Sequence, residues 1–326
     1  MNNLAECLEG VRTVAIAGHV NPDGDCIGSC MGVYLYLRDN FPQIRADVYM
    51  EKPREVFYYI EDLDKVRTEY DGSARYDLLI LLDISSRDRI GVAGACLETA
   101  SRVLCLDHHV TNKGHYTWFC NIPEASSTSE VVFGFLDEDK ISPACAAALY
   151  TGIVHDTGVF QYSSTSPKTM RIAAALMEKG IPFSRIVDQS YYQKTYVQNQ
   201  IMGRTLMESI MLMGGRCIVG IVRLKEMKFY GLKPSDMDGI VSQLRNTIGV
   251  EVAIFLYELK LQCFKVSLRS KEIVDVSKIA MVFGGGGHVR AAGFNMHGTP
   301  YDVINNITPY VEEQLEEYSQ ADERDS

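Results

Sequence analysis

Residues 18–25 carry one imidazole and two carboxylates at a fixed spacing, namely His19, Asp23 and Asp25. An apolar run, 11–17, ends just before His19, and an amphipathic pattern that predicts a helix begins just after Asp25. In open α/β sheets, ligands bind beyond the carboxyl ends of the strands, which is where this stretch would lie. An aspartate in the first turn of a helix is also a common cap, although capping gives a reason for Asp25 alone. Two interpretations are therefore open at this point, a metal site and a helix cap.

Two more apolar runs in the N-terminal half end in side chains that can bind metals. One run ends at Asp83, the other ends at the triplet 107–109 (Asp-His-His), and Asp156 follows a predicted helix. Because strand ends converge on one edge of a parallel sheet, we expect these groups to meet in space. Clustered carboxylates repel one another unless cations offset their charge. Mixed carboxylate and imidazole ligands suit Mn²⁺ or a similar divalent ion, and the number of carboxylates indicates two ions that share a bridging carboxylate.

The composition indicates an ordinary globular chain of about two domains. Its 326 residues include nine cysteines with no Cys-x-x-Cys pair, so neither a disulfide scaffold nor a zinc ribbon is predicted, and a reducing cytoplasm is expected. Cys26 and Cys30, in the first predicted helix, are interpreted as packing residues. No apolar run approaches the ~20 residues of a membrane span, and residues 1–10 do not resemble a signal sequence. We therefore expect no membrane partner.

The charge of the chain argues against one class of function, nonspecific binding of long nucleic acid. The formal net charge is −10, whereas such binding depends on many cationic contacts with phosphates. Residues 211–300 nevertheless hold twelve Lys and Arg against seven Asp and Glu. This local excess of positive charge suits an anionic substrate, and it equally suits a small domain with solvated cationic side chains.

The order of the predicted elements indicates an α/β protein with two domains. Strands alternate with helices in the first part, which predicts a parallel, doubly wound sheet over residues 1–182. Residues 183–210 are predicted to form a helical linker, and the strand-rich pattern of 211–318 predicts a smaller α+β domain. Residues 319–326 are predicted to form a disordered acidic tail. Ser127-x-x-Glu130 has the spacing of a capping box, in which two side chains cap the start of one helix reciprocally.

These motifs resemble the N-terminal motifs of the DHH phosphoesterase superfamily, which is named for the triplet at 107–109. The resemblance comprises the spacing His-x-x-x-Asp-x-Asp at 19–25, the aspartate at the second strand end, the triplet itself, and the aspartate within Gly-Ile-Val-His-Asp-Thr-Gly at 152–158. It implies a catalytic domain with two divalent cations, most often Mn²⁺. The implied metal ligands are His19 and Asp23 for one ion, Asp25 and His108 for the other, and Asp83 and Asp156, which would complete or bridge the pair.

The resemblance also implies roles beyond metal binding. Asp83 and His109 are the implied catalytic residues, and His109 would contact the scissile phosphate or assist proton transfer. Asp107 would orient a neighbouring imidazole. His155 precedes the metal-binding aspartate, and two interpretations are open for it, a phosphate contact and a structural histidine at a helix end. We adopt the structural interpretation and leave His155 out of the site.

The C-terminal half carries a second motif, four glycines at 284–287 followed by a histidine. Glycines let the backbone approach a ligand closely, and successive amides can form an anion nest. Together with Ser-Leu-Arg-Ser at 267–270, this motif resembles the DHH-associated C-terminal domain of the superfamily. The residues that the resemblance assigns to the distal phosphate or nucleotide of the substrate are Arg269, Gly285, Gly286, Gly287 and His288. Arginine suits this task because its planar guanidinium can donate two hydrogen bonds to phosphate, and a surface salt bridge is the alternative for Arg269.

The resemblance implies a cytoplasmic, Mn²⁺-dependent phosphoesterase of the nanoRNase and pAp phosphatase group, where pAp is 3′-phosphoadenosine 5′-phosphate. Such enzymes release mononucleotides from short RNA oligonucleotides and dephosphorylate pAp to AMP. A metal centre in one domain and a phosphate clamp in the other would favour short substrates over long duplexes. Members of the superfamily are often dimeric, so a homodimer is one expected oligomeric state.

Other functions of the same superfamily stay open. A cyclic di-AMP phosphodiesterase uses the same residues, which makes cyclic dinucleotides the main alternative substrates. A RecJ-like exonuclease is disfavoured by the acidic composition, and an inorganic pyrophosphatase is disfavoured by the glycine run with its histidine. A nucleotide-binding regulator with a degenerate site is disfavoured because every motif position is chemically intact.

Overall fold

The computed structural model describes residues 3–70 and 72–325, with side chains as far as residue 321. The chain divides into two compact units, residues 1–193 and 194–326. This division lies within the segment 183–210, for which the sequence predicts a helical linker. The segment is largely helical, and it contributes to both units.

Among the described residues, five parallel strands form the sheet of the first unit, which confirms the predicted α/β class. The strands are β1 (Thr13–Ala17), β2 (Arg45–Tyr49), β3 (Leu78–Leu82), β4 (Arg102–Asp107) and β5 (Trp118–Asn121). Their order across the sheet is β2-β1-β3-β4-β5. The central strand β3 contains only leucine and isoleucine and is fully buried, as expected for a parallel sheet that is covered on both faces. The three strands that precede the motif residues, β1, β3 and β4, are therefore neighbours.

Helices cover one face of this sheet. They are α1 (Leu4–Cys7), α2 (Gly24–Asn40), α3 (Thr128–Phe135), α4 (Pro143–Asp156), α5 (Pro167–Glu178) and α6 (Phe183–Val187). Serine side chains cap α3, α4 and α5, and proline begins α4 and α5, where no hydrogen bond from its nitrogen is required. One core joins these helices to Ile16 and Ile80, and a second core on the other face packs Leu79 and Cys105 near the 3₁₀ turn Gly94–Glu98.

Helices α2 and α4 cross closely because glycine stands at their contact. A Cβ atom at Gly28 would lie 2.6 Å from the carbonyl oxygen of Ala148 and would push the two helices apart. Gly24, at the start of α2, lies against the ring of His155 near the end of α4. The first turn of α2 and the last turn of α4 are therefore adjacent, which brings their motif residues together.

Of the two hydrogen bonds of the capping box expected for Ser127 and Glu130, only the one to the serine side chain forms. Ser127 Oγ accepts a hydrogen bond from the Glu130 amide at 3.0 Å and so caps α3. The Glu130 carboxylate turns elsewhere, because it accepts hydrogen bonds from Ser126 Oγ at 2.8 Å and from Thr169 Oγ1 at 2.7 Å. The reciprocal half of the prediction is therefore wrong: this buried carboxylate is held by two hydroxyl groups, one of them at the start of α5.

The second unit is built on a mixed sheet. Its strands are β6 (Ile210–Leu212), β7 (Cys217–Val222), β8 (Val252–Lys260), β9 (Cys263–Ser270), β10 (Gly286–His288) and β11 (Ala291–His297), in the order β10-β11-β9-β8-β7-β6. The pair β7–β8 is parallel and the other pairs are antiparallel. Its helices are α7 (Tyr196–Met207), α8 (Leu224–Tyr230), α9 (Ile240–Arg245), α10 (Val276–Val282) and α11 (Pro300–Asp325). This mixture of strands and helices agrees with the predicted α+β domain.

The last helix differs from its prediction. Helix α11 extends to Asp325 and so includes 319–325, where the sequence predicts a disordered acidic tail; Ser326 lies outside the described residues. Its buried side chains, among them Val311 and Leu315, recur at helical spacing, and the residues after them are mostly good helix formers, so the helix continues. Within residues 3–70 and 72–325, no helix combines the length and the apolar composition that crossing a bilayer requires.

Candidate metal centre

The structure brings the motif residues of the first unit together at one edge of the sheet. His19 follows β1, Asp83 follows β3, and the triplet 107–109 ends β4, while α2 and α4 supply the remaining carboxylates from their adjacent ends. His19, Asp25, Asp83 and Asp107 are all buried, with relative exposures of 6%, 1%, 3% and 0%. Several ionisable groups in so little contact with water require either protons or cations to offset their charge.

Asp83 occupies the centre of this cluster. Its Oδ2 lies 3.3 Å from His19 Nε2, and its Oδ1 lies 3.7 Å from His108 Nε2 and 3.5 Å from His109 Nδ1. The backbone of Asp83 is left-handed, with φ at 60°, directly after the strand ends. Asp and Asn tolerate this conformation better than most residues, and such backbone strain is often found at functional sites. The turn directs the carboxylate between imidazoles from two different strands.

The two other sides of the cluster are formed by helix ends. Asp23 caps α2 by accepting hydrogen bonds from the amides of Asp25 and Cys26, both at 3.1 Å, and its Oδ2 lies 3.7 Å from His19 Nε2. At the other side, His108 Nε2 lies 3.3 Å from Asp156 Oδ2. Asp23 therefore caps α2 and also lies beside the cluster, so the two interpretations of residues 23–25 do not exclude each other.

The orientation of two imidazoles favours a cation between them and the carboxylates. His19 Nδ1 lies 2.8 Å from the carbonyl oxygen of Val20, and His108 Nδ1 lies 3.3 Å from that of Ala125. Since a carbonyl only accepts, each Nδ1 carries the proton of the neutral ring, and each Nε2 directs its lone pair at a carboxylate. A lone pair facing an anion is unfavourable unless a proton or a metal ion lies between them. This arrangement, in which a backbone carbonyl fixes the tautomer, is the usual one for metal-binding histidines.

Among the described residues, three groups of potential ligand atoms lie within 4.8 Å of one another: His19 with Cys26 and Asp83, Asp83 with His108 and His109, and Asp25 with His108 and Asp156. Asp83 and His108 each belong to two groups, as expected for a pair of adjacent ions that share a carboxylate. The oxygen and imidazole donors fit divalent cations such as Mn²⁺. Cys26, which the sequence assigns to packing, is fully buried and places its thiol beside this site.

The charges of the cluster shift its pKa values in opposite directions. Burial raises the pKa of Asp25, and the charge of Asp83 raises it further, to about 7. Burial and then the charge of Asp25 raise the pKa of Asp156 well above its ordinary value. Burial would lower the pKa of His108, but the charges of Asp83 and Asp25 outweigh it and raise that pKa. Burial would raise the pKa of Asp83, but the hydrogen bond and the charge of His19 outweigh it and lower that pKa. Bound protons thus offset charge in the cluster, and cations would displace them.

His109 is held by a chain of hydrogen bonds. Its Nδ1 lies 2.8 Å from Asp107 Oδ1, and Asn112 Nδ2 donates to Asp107 Oδ2 and to the carbonyl oxygen of Ile84, both at 2.7 Å. Asn121 Nδ2 donates to the His109 carbonyl at 2.7 Å. Asp107 therefore touches an imidazole in the way that the resemblance implies, and Asn112 in turn fixes Asp107. Nothing in the sequence singles out Asn112, because an asparagine five residues after an aspartate has no pattern of its own.

His155 makes contacts of its own near the end of α4, with residues outside the carboxylate cluster. Its Nε2 lies 3.0 Å from Ser190 Oγ, and its ring packs edge-on against Phe57 and Tyr191 at centroid distances of 5.0 and 5.5 Å. Ser190 Oγ donates its own proton to the Ile186 carbonyl, so His155 Nε2 acts as the donor to the serine. These contacts agree with a structural role for this histidine.

The second unit brings its own motif residues onto one face of the mixed sheet. Ala291 on β11 pairs with both Arg269 on β9 and His288 on β10, so all three side chains point to the same face. The short side chain of Ala291 lies between Arg269 and His288 across the sheet. Arg269 is half-buried and donates a hydrogen bond to the carbonyl oxygen of Leu268, while His288 is exposed.

The four glycines at 284–287 do not form one continuous anion nest, because the first two end a helix and the last two lie in a strand. The amides of Gly284 and Gly285 donate to the carbonyl oxygens of Met281 and Ala280 and so terminate α10. These two amides are therefore engaged, and the nest expected from the sequence does not include them. A Cβ atom at Gly285 would meet Phe294 and the carbonyl oxygen of Gly293, so glycine is required there by packing. Gly286 and Gly287 lie in β10, beside His288.

Two family models match the chain, and both agree with this geometry. The N-terminal domain model of the DHH family matches residues 13–153, and the DHHA1 domain model matches residues 215–317. The two units of the chain are thus similar to a DHH domain and a DHHA1 domain, respectively. The two matched ranges lie in different compact units: the first includes every residue of the carboxylate and imidazole cluster except Asp156, and the second includes Arg269 and the glycine run.

Curated relatives match this chain over nearly its whole length. The bifunctional oligoribonuclease and PAP phosphatase NrnA of Thermus thermophilus is 28% identical, with 97% of this chain and 94% of the relative covered. The protein of the same name from Bacillus subtilis is 25% identical, with 94% and 96% covered. The crystal structure of an exopolyphosphatase-related protein from Bacteroides fragilis has a TM-score of 0.87 at 25% identity and covers 95% of this chain and 94% of that one. The similarity to these proteins thus extends over both compact units of the chain.

Proposed function

We propose that this protein is a metal-dependent phosphoesterase that hydrolyses short RNA oligonucleotides to mononucleotides and dephosphorylates pAp to AMP. The observation that carries the proposal is the orientation of His19 and His108, whose Nε2 atoms face the Asp83 and Asp156 carboxylates at 3.3–3.7 Å. The relatives named oligoribonuclease and PAP phosphatase, which match almost the full chain, support this choice of substrates.

Two divalent cations, most reasonably Mn²⁺, are the proposed cofactors. The proposed ligands are His19 and Asp23 for one ion and Asp25 and His108 for the other, with Asp83 between the two and Asp156 beside His108. When bound, such a pair lowers the pKa of a water molecule and offsets the charge that develops on a phosphoryl group during in-line displacement.

The side chains around this pair have distinct proposed tasks. Asp83, which lies between His19 and the pair His108 and His109, would be a ligand that both ions share. His109 presents Nε2 to the scissile phosphate, because its Nδ1–H donates to Asp107 Oδ1. Asp107 stabilises the positive charge that His109 acquires on taking up a proton, and Asn112 keeps Asp107 in place by donating to its other oxygen. Proton transfer at the leaving oxygen is thus assigned to His109 Nε2.

The DHHA1 domain supplies the proposed substrate-binding residues. Arg269 and His288 share one sheet face, where both can bind a second phosphate of the substrate, and the small side chain of Ala291 between them leaves space for it. Gly286 and Gly287 would let the ligand approach the backbone beside His288, and Gly285 would keep this loop packed against Phe294. A substrate with two phosphates, such as pAp, offers one phosphate to each of these two sets of residues.

Cellular setting and assembly are also proposals. Free cysteines, of which the described residues contain nine, suit a reducing cytoplasm. A homodimer is proposed from the resemblance alone, and its test is the mass of the purified protein in solution.

The decisive experiment is a product assay with three substrates in parallel. Purified protein, stripped of metal by EDTA and then supplied with Mn²⁺, Mg²⁺ or Zn²⁺, would be given a labelled RNA dinucleotide, pAp and cyclic di-AMP. Release of mononucleotides and of AMP, with Mn²⁺ the most effective ion and no turnover in EDTA, is the expected result. Preferential opening of cyclic di-AMP would replace the proposed substrates, and turnover of none of the three would reject the substrate class.

A further inference from the structure

A buried segment at the start of α3 contacts the metal centre, although no motif of the sequence predicts this contact. Thr128 Oγ1 donates a hydrogen bond to Asp83 Oδ1 at 3.0 Å. The amide of Thr128 donates to Asp25 Oδ2 at 2.6 Å, and the amide of Ser129 donates to Asp25 Oδ1 at 2.9 Å. Thr128 and Ser129 are completely buried. One residue, Thr128, therefore joins two carboxylates that lie in different parts of the chain.

A substitution of Thr128 can remove its hydroxyl contact with Asp83 but not its backbone contact with Asp25. The hydrogen bonds to Asp25 come from backbone amides, so they persist when the side chain of residue 128 is substituted. The hydroxyl has a single proton, and it is directed at Oδ1 of Asp83, the oxygen that faces His108 and His109. The other oxygen, Oδ2, then faces His19. The hydroxyl of Thr128 thus selects one rotation of the Asp83 carboxylate about its terminal torsion, which is otherwise broad.

The start of α3 is itself fixed from behind. Glu130, with 1% exposure, accepts hydrogen bonds from Ser126 Oγ and from Thr169 Oγ1 on α5. Ser127 Oγ caps the helix through the Glu130 amide. Thr128 therefore stands on a turn that is anchored at both ends, so its hydroxyl has little freedom to follow a carboxylate that moves.

We propose that Thr128 is a positioning residue that orients the Asp83 carboxylate so that it can bridge two cations. This inference rests on the proposed function, since it assumes that Asp83 is the shared ligand. Thr128 does not contact the cations or the substrate in this scheme, and it acts only through Asp83. Loss of its hydroxyl should therefore weaken cation binding and slow turnover, while the KM for the substrate changes little because the DHHA1 residues are untouched.

The test compares Thr128→Val, which keeps the shape and removes the hydroxyl, with Thr128→Ser, which keeps the hydroxyl. Thr205→Val is the matched control, because Thr205 is equally buried but its hydroxyl donates to the Ile201 carbonyl of its own helix in the second unit. Mn²⁺ binding to EDTA-stripped protein would be measured by titration calorimetry, alongside kcat and KM. We expect Thr128→Val to lose about 10- to 100-fold in Mn²⁺ affinity, Thr128→Ser to restore most of it, and Thr205→Val to bind as the wild type does.

Each outcome decides a separate question. Wild-type affinity and kcat in Thr128→Val would overturn the inference while leaving the proposed function intact. Equal loss in Thr128→Val and Thr205→Val, or no rescue by Thr128→Ser, would also overturn it, since the hydroxyl would then not be the cause. Failure of the wild type to bind Mn²⁺ would reject the proposed function itself. If Thr128→Val does not fold, Thr128→Ala replaces it, with the same comparison against Thr128→Ser.

Discussion

The α-carbon of Gly152 lies so close to the carboxylate of Asp25 that a Cβ atom on it would stand 2.6 Å from Asp25 Oδ1 and would also meet Ser129 Oγ. Helix α4 thus packs a bare backbone against a metal-centre carboxylate. The absence of a side chain at residue 152 is what allows the first turns of α2 and α3 to meet beside α4.

Gly152→Ala is therefore expected to destabilise the protein by about 1–3 kcal/mol, because overpacked atoms must be displaced. The substitution should also weaken Mn²⁺ binding, because the added Cβ atom would displace the carboxylate of Asp25, a proposed metal ligand. Gly203→Ala is the control: Gly203 lies within α7 with open space around it, so alanine there should be neutral or slightly stabilising. Urea unfolding and Mn²⁺ titration of both variants provide the comparison, and equal behaviour of the two would contradict the steric argument.

Asp83→Asn is expected to abolish turnover while leaving the fold intact. Asparagine has the same shape and also tolerates the left-handed backbone at this position, where φ is 60°, so it tests the charge without adding strain. The amide cannot act as a bridging anion. Dinucleotide hydrolysis should fall to background with an unchanged circular dichroism spectrum, and near-normal rates in the folded variant would refute the role of Asp83.

Arg269→Ala should raise KM for pAp and for a dinucleotide with a smaller effect on kcat. Removal of a charge-assisted hydrogen bond costs about 1.5–3 kcal/mol, or roughly 10- to 150-fold in kcat/KM. Arg269→Lys keeps the charge but not the planar fork and should recover only part of this loss. Arg171→Ala, at an exposed position on α5, should have no kinetic effect. A surface salt bridge is the better account of Arg269 if its variants behave like Arg171→Ala.

The metal-free protein should lose stability as the pH rises from about 5 to 8. The folded-state pKa values of Asp25, Asp156, His108 and His109 are all raised above their ordinary values, so the folded state holds more protons than the unfolded state across this range. Stability that is present below the unfolded-state pKa values is therefore lost as these groups release their protons, with Asp25 doing so near 7. The lowered pKa of Asp83 acts only at more acidic pH.

Urea midpoints of EDTA-treated protein at several pH values would measure this effect, with a slope on the order of 1 kcal/mol per pH unit for each proton of difference. Saturating Mn²⁺ should reverse the trend, because the ions bind the deprotonated ligands. A metal-free protein that becomes more stable between pH 5 and 8 would show that the cluster does not carry these protons.

The sequence predicts the strands best where they are uniformly apolar. The runs 78–82 and 217–222 match β3 and β7, because such strands are buried on both faces and contain no polar residue that would blur their ends. The strands β2 and β5 escape prediction, since β2 begins with the exposed Arg45 and contains Asp47, and β5 is a half-buried edge strand. The apolar spacing near residues 236–248 predicts a helix, but α9 covers only Ile240–Arg245, and the residues just before it form the 3₁₀ turn Pro234–Met237.

In the candidate site, too, some residues can be predicted from the sequence and others cannot. Its motif residues can be found in the sequence because imidazoles and carboxylates at strand ends form an unusual pattern. The residues that hold them in place have no such pattern: Thr128 is indistinguishable from a residue in any capped first turn, and Asn112 from a residue in any loop. Glu130 was expected to cap its own helix, and only the position of Thr169, distant in sequence, reveals that it does otherwise.

The residues of the candidate metal centre come from four separate stretches of the chain, between His19 and Asp156, and they meet through the central strands, the crossing of α2 with α4 and the start of α3. No fragment of the first unit contains a complete site, and local unfolding of any one of these stretches would dismantle it. Cation binding is therefore linked to the cooperative unfolding of the unit as a whole, so bound ions should slow amide hydrogen exchange throughout β1, β3 and β4 rather than only near the ligands. Bound ions would thus cross-link distant parts of the first unit, in the way that a disulfide cross-links a small secreted domain.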